Sequence, residues 1–103
     1  MLKKLDDLLC QQYPSIFRDR HADPTKTGMC WGFTCGDGWF GIIDRLCAEI
    51  SRQVESGAMP DVVATQVKEK MGTLRFRFKG GNEETYRLVE LALEESATTV
   101  EEE

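Results

Sequence analysis

Residues 66–81 read QVKEKMGTLRFRFKGG, and the parsing of this stretch decides the architecture around it. On one side of Met71-Gly72, Val63, Thr65 and Val67 alternate with polar residues; on the other, Leu74, Phe76 and Phe78 do the same. A period of two marks strands. Gly72 suits the second position of a type I′ turn, which needs a positive φ, so the two strands are predicted to form a hairpin closed by a two-residue loop. That loop sets Lys68 opposite Arg75, Gln66 opposite Arg77 and Lys70 opposite Thr73. These side chains share one face, and Val63, Val67, Leu74, Phe76 and Phe78 take the other, which helices must cover. Gly80-Gly81 ends the second strand.

The polar face is a positive stripe on a chain of net charge -5. Charge is unevenly spread: residues 1–60 carry seven basic and eight acidic groups (-1), residues 61–80 five and two (+3), residues 81–103 one and eight (-7). Like charges directly opposite in a strand pair are destabilising by up to about 1 kcal/mol, so Lys68 against Arg75 asks for an anion. The simpler reading is a solvated outer face whose lysines discourage edge-to-edge aggregation. The functional reading is an anion-binding surface of Lys68, Arg75 and Arg77, extended by Arg18, Arg20 and His21 from the preceding loop, with Trp31 to stack a base. Direct nucleic-acid binding is disfavoured: the chain is acidic overall, and Phe76 and Phe78 point away from the stripe.

Outward from the hairpin, Leu2, Leu5, Leu8 and Leu9 predict an amphipathic helix over residues 2–12, stopped by Pro14. Phe40, Ile43, Cys47, Ile50 and Val54 predict a longer one to about Ser56, with Asp37 as its N-cap. Tyr86, Val89 and Leu93, with Leu88 and Ala92 beside them, predict a third over residues 82–97. Residues 13–36 show no sustained period, but Tyr13, Phe17, Trp31 and Phe33 mark the segment as packed. The expectation is one α+β domain over residues 1–97, with three helices on one face of an antiparallel β-hairpin or small antiparallel sheet, a long packed loop, and an acidic tail at 98–103 that frays.

No apolar run is long enough to span a bilayer, and MLKKLDDLL lacks the apolar core of a signal peptide, which predicts a cytoplasmic protein with reduced thiols. Cys30, Cys35 and Cys47, with His21 or Cys10 as a fourth ligand, form a weak zinc candidate. Structural zinc sites present their cysteines as tight pairs, whereas bulky Trp31 and Phe33 separate Cys30 from Cys35, and Cys47 lies on an apolar helix stripe. Buried thiols are the simpler account. Cys35 precedes a helix and could be nucleophilic, yet no base and orienting group stand at recognisable spacing, so catalysis ranks third among the readings and no cofactor is expected.

The motifs MCWGFTCGDGWFGIIDRLC (residues 29–47) and QVKEKMGTLRFRFKGG, with YPSIFRDRH at residues 13–21, resemble a set of small uncharacterised proteins encoded by tailed phages and prophages. Several such relatives continue into a cysteine-containing tail that looks like a zinc ribbon, where this sequence has TTVEEE. The resemblance implies a phage accessory protein acting in the host bacterial cytoplasm, most naturally an anti-defence inhibitor that binds a host defence protein or complex without turnover. Glu83, Glu84, Glu90, Glu94 and Glu95 are its candidate partner surface, shaped to occupy a basic cleft. A binder of a small anionic ligand such as a nucleotide signal is the alternative. The strand edges of a two-stranded hairpin also leave a homodimer open.

Overall fold

The hairpin forms in the register that its two-residue loop imposes. In a computed structural model, which describes residues 1–20, 29 and 32–99, β2 (Val62–Lys70) and β3 (Thr73–Gly80) pair antiparallel, with Lys68 opposite Arg75, Gln66 opposite Arg77 and Lys70 opposite Thr73. Met71 (φ 54°) and Gly72 (φ 78°) both sit in the left-handed region, as a type I′ turn requires. One feature departs from simple alternation. The register slips between Ala64 and Gln66, where Thr65 is an extra residue on β2. Such a bulge reverses the facing of everything before it. Val62 and Ala64 therefore join the core, and Val63, expected beside Val67, instead pairs with Lys79 and lies outside the core cluster.

The sheet has a third strand that the sequence did not reveal. β1 (Phe33–Thr34) pairs with β2 in parallel, giving the order β1-β2-β3 and a mixed sheet in place of an all-antiparallel one. The link from β1 to β2 runs through a 3-10 turn (Asp37–Trp39) and α2 (Phe40–Glu55), the long crossover that parallel strands need. Phe33, Val67 and Phe76 form a row across one face. Phe17 meets Phe33 and Phe76 edge-on, at centroid distances of 5.0 and 6.4 Å. The long loop is packed, as its aromatics imply: Ile16 and Phe17 are buried, and the Ala64 amide donates to the Ile16 carbonyl at 2.8 Å.

Helices cover the apolar face, completing an α+β fold. α2 buries Ile43, Cys47 and Ile50 of the predicted stripe together with Ile42 and Leu46, while Phe40 and Val54 are half-buried at its ends. Asp37 does not cap it; its carboxylate accepts from the Leu2 amide at 2.7 Å and so ties down the N-terminus. α3 (Glu83–Ala97) starts at a capping box of Asn82 and Thr85. It buries the small residues Thr85, Ala92 and Ser96, with Leu88 and Val89 half-buried beside them. Ser96 Oγ accepts the Leu74 amide at 2.8 Å, which fastens the helix to β3.

α1 (Lys3–Gln12) presents a different stripe from the leucine pattern. Leu9 is buried, but Leu2 and Leu8 are exposed, and Asp6 is buried in their stead. Its carboxylate receives Arg20 Nε and Nη2 at 3.0 Å each. Gly32 (φ 76°) lies against this pair: a Cβ there would stand 2.8 Å from both Arg20 Nη2 and Asp6 Oδ2. Among the described residues no helix is long and apolar enough to cross a membrane.

Candidate functional site

Two charged surfaces stand on opposite sides of the sheet. The first is the outer face of the hairpin. Lys68, Arg75 and Arg77 share it, as the register requires, and among the described residues none of the three has an ion-pair or hydrogen-bond partner. Lys79, further along, pairs with Asp19 at 3.4 Å. Glu69 belongs to the other face and accepts the Gly72 amide at 2.7 Å, closing the turn. Arg75 is the exceptional member: its Nε is buried with no acceptor. Leaving a buried donor unpaired costs about 1–3 kcal/mol.

The loop cations expected to extend this stripe are directed elsewhere. Arg18 pairs with Asp61 and donates to the Ser15 carbonyl, and Arg20 forks onto Asp6. That carboxylate holds the Arg20 pKa above its ordinary value. His21 and Trp31, named with them as ligand residues, lie outside the described residues, as does Cys30.

The second surface is the outer side of α3. Glu83, Glu90 and Glu94 are exposed and fall on one helical face. Glu84 and Glu95, the other two candidates, are engaged: Arg87 Nε and Nη2 fork onto Glu84 at 2.5 and 2.6 Å, and Arg45 pairs with Glu95. Hydrogen bonding from Arg87 keeps the Glu84 carboxyl below its usual range. Among the described residues every carboxylate has a partner except Glu55, Glu83, Glu90 and Glu94. Three of these four are on the α3 ridge.

Apolar grooves flank the ridge. Ile42 and Leu46 of α2 with Leu88, Leu91 and Ala92 of α3 line one. Phe76 and Phe78 of β3 with Tyr86 and Val89 line the other, where Thr65 and Arg77 also contribute. Tyr86, whose ring lies 4.9 Å from that of Phe78, is 66% exposed, and Leu91 is 49% exposed. Apolar spacing in the sequence places Tyr86 on the buried face and gives no sign of Leu91. α3 turns its small residues Thr85, Ala92 and Ser96 inward, which leaves both on the outer side.

The thiols are buried or half-buried. Cys47 is fully enclosed, and burial, followed by nearby Asp44, raises its pKa well above the ordinary thiol value. Burial and then the Asp6 carboxylate push Cys10 up to about 11. Cys35 is buried as well. Burial and a hydrogen bond to Asp44, 2.5 Å from its hydroxyl, likewise raise the Tyr13 pKa. Among the described residues no three His, Cys, Asp or Glu side chains come together as a metal site. Comparison with protein-family models, with curated proteins and with solved structures finds no match to this chain.

Proposed function

We propose that the protein is a phage-encoded accessory protein that inhibits a host defence complex by stoichiometric binding through the outer side of α3. The phage setting is the implication of the sequence resemblance; the observation that carries the binding reading is the ridge of unpartnered carboxylates between two apolar grooves. Glu83, Glu90 and Glu94 succeed one another along the helix axis at roughly 10 and 6 Å. Carboxylates so arranged steer the protein toward a basic, nucleic-acid-binding cleft. Tyr86 and Leu91 then supply apolar contact, since affinity at interfaces concentrates in a few desolvated, often aromatic anchors.

Helix stability accounts for Glu83, which stands in the first turn, but not for the C-terminal end of the ridge. Glu94 and Glu95 occupy the last turn of α3, which has no basic residue, and there a negative charge opposes the helix macrodipole. A helix selected for stability alone would carry lysine at that end.

The test is phage plating on cells that carry individual defence systems. Expression of the protein is expected to restore plaque formation against one such system, and the triple replacement Glu83→Lys, Glu90→Lys and Glu94→Lys to abolish that protection with circular dichroism unchanged. Protection that survives the triple replacement would exclude α3 as the binding surface.

A further inference from the structure

We propose that the outer face of the β2–β3 hairpin is a binding site for the phosphate group of a small ligand, held by Lys68, Arg75 and Arg77. The site adjoins the α3 surface without coinciding with it: α3 packs on the side of Leu74, Phe76 and Phe78, Lys68 and Arg75 belong to the other face, and Arg77 also borders the groove beside Tyr86.

Register brings the three within reach of one anion. Lys68 and Arg75 are directly opposite, so their Cβ atoms are about 5 Å apart, and Arg77 is the diagonal neighbour of Lys68 at about 7–8 Å. Long, flexible side chains close those gaps easily. Among the described residues no carboxylate pairs with any of the three: on β2 Glu69 is engaged by the turn amide, and Asp19 is engaged by Lys79.

Arg75 supplies the second, independent sign. Its Nε is shielded from water and has no acceptor, in a protein where no other described buried side-chain nitrogen or oxygen lacks a partner. When the Arg75 side chain turns its Nε edge outward, an oxyanion accepts that hydrogen bond and at the same moment relieves the repulsion from Lys68.

The donor set selects the class of anion. One arginine fork already matches a carboxylate. Two guanidinium groups and an ammonium exceed what a single carboxylate uses, whereas a terminal phosphate has three outer oxygens and close to two negative charges. Gln66, opposite Arg77, adds a neutral amide at the edge. The patch of three cations is too short for a nucleic-acid track.

Calorimetric titration of the full chain with inorganic phosphate and with pyrophosphate, in about 50 mM salt, tests the site. Saturable one-to-one binding is expected. Arg75→Gln should weaken it at least tenfold and Arg77→Gln severalfold. Arg75→Lys, which keeps the charge and loses the fork, should also weaken it, and the triple lysine replacement on α3 should leave it unchanged. Circular dichroism of each variant verifies folding, and exposed Arg77 provides the readout if Arg75 variants fold poorly. Four results would overturn the proposal: no saturation by about 10 mM of either probe; affinity indifferent to both Arg75→Gln and Arg77→Gln; equal competition by acetate at matched ionic strength, which would make this a carboxylate site; or far tighter binding of a single-stranded oligonucleotide, which would make it a polyanion surface.

Discussion

Arg20 and Arg75 each have guanidinium nitrogen withdrawn from water, and the molecule treats them in opposite ways. Arg20 forks onto Asp6, both side chains are largely buried, and Gly32 leaves room for the pair where any Cβ would intrude. Arg75 faces a lysine across the hairpin and has a buried Nε with no acceptor. The first arrangement holds the loop after α1 against that helix. The second makes no hydrogen bond through that nitrogen, although a methionine or leucine would fill the same position without an unpaired donor. A charge that serves the fold is answered from within the chain; one that is left unanswered at a cost points to a partner outside it.

The contrast fails first if the Arg20 pair contributes little. Removing one member of a buried ion pair strands the other and typically costs about 3–5 kcal/mol. Asp6→Ala is therefore expected to lower unfolding free energy by about 3 kcal/mol, read as a drop in urea midpoint with unchanged slope. A loss under about 1 kcal/mol would show that the pair behaves as a surface contact and would remove the basis of the comparison.

The same measurement on the other arginine should move the opposite way. Arg75→Met removes the unpaired donor and the repulsion from Lys68, so stability is expected to hold or rise by up to about 1 kcal/mol. A loss comparable to that of Asp6→Ala would mean that Arg75 contributes to the fold through packing of its stem, and the functional reading of its unpaired Nε would fall with it.

Why one half of this contrast was legible in the sequence and the other was not follows from sequence distance. The basic stripe could be read because a two-residue turn fixes register, and Lys68 and Arg75 are only a few residues apart across it. The span of α2 was legible from its apolar spacing, and Ile43, Cys47 and Ile50 of the predicted stripe are buried, with Ile42 and Leu46 widening it. The Asp6–Arg20 pair left no local sign. Leucine spacing in α1 argued for a stripe of Leu2, Leu5, Leu8 and Leu9, and only the arrival of Arg20 from the loop makes Asp6 a buried residue. β1 is two residues long with its partner more than thirty residues away, and the bulge at Thr65 is a single insertion without compositional mark. For the same reason Arg18 and Arg20 were grouped with the stripe, since the carboxylates that claim them, Asp61 and Asp6, are close only in the folded chain.

Met71 extends the comparison to the tip of the hairpin. It is 87% exposed and stands at φ 54°, a region that costs a residue with a β-carbon about 1–2 kcal/mol and that asparagine tolerates best. Met71→Asn should raise stability by about 0.5–1 kcal/mol. A rise in urea midpoint accompanied by weaker phage protection would add the hairpin tip to the interaction surface; a rise with full protection would restrict that surface to α3. No rise at all would remove the tip from the set of positions where stability is forgone.

The smallest effect separates stability from binding most cleanly. Glu94 lies in the last turn of α3, exposed and without a partner among the described residues, where a negative charge opposes the helix dipole. Glu94→Lys is expected to stabilise the protein by about 0.5 kcal/mol at low salt, with the gain shrinking as salt is added. If the ridge is a binding surface, the same replacement weakens inhibition of the defence complex, most strongly at low ionic strength, where charge steers association. A more stable protein that inhibits less well can be explained only by a partner, because loss of fold and loss of function then run in opposite directions. If stability and inhibition rise together, or inhibition is untouched, the carboxylates of α3 are a solvated helix face and the binding surface must be sought in the grooves beside them.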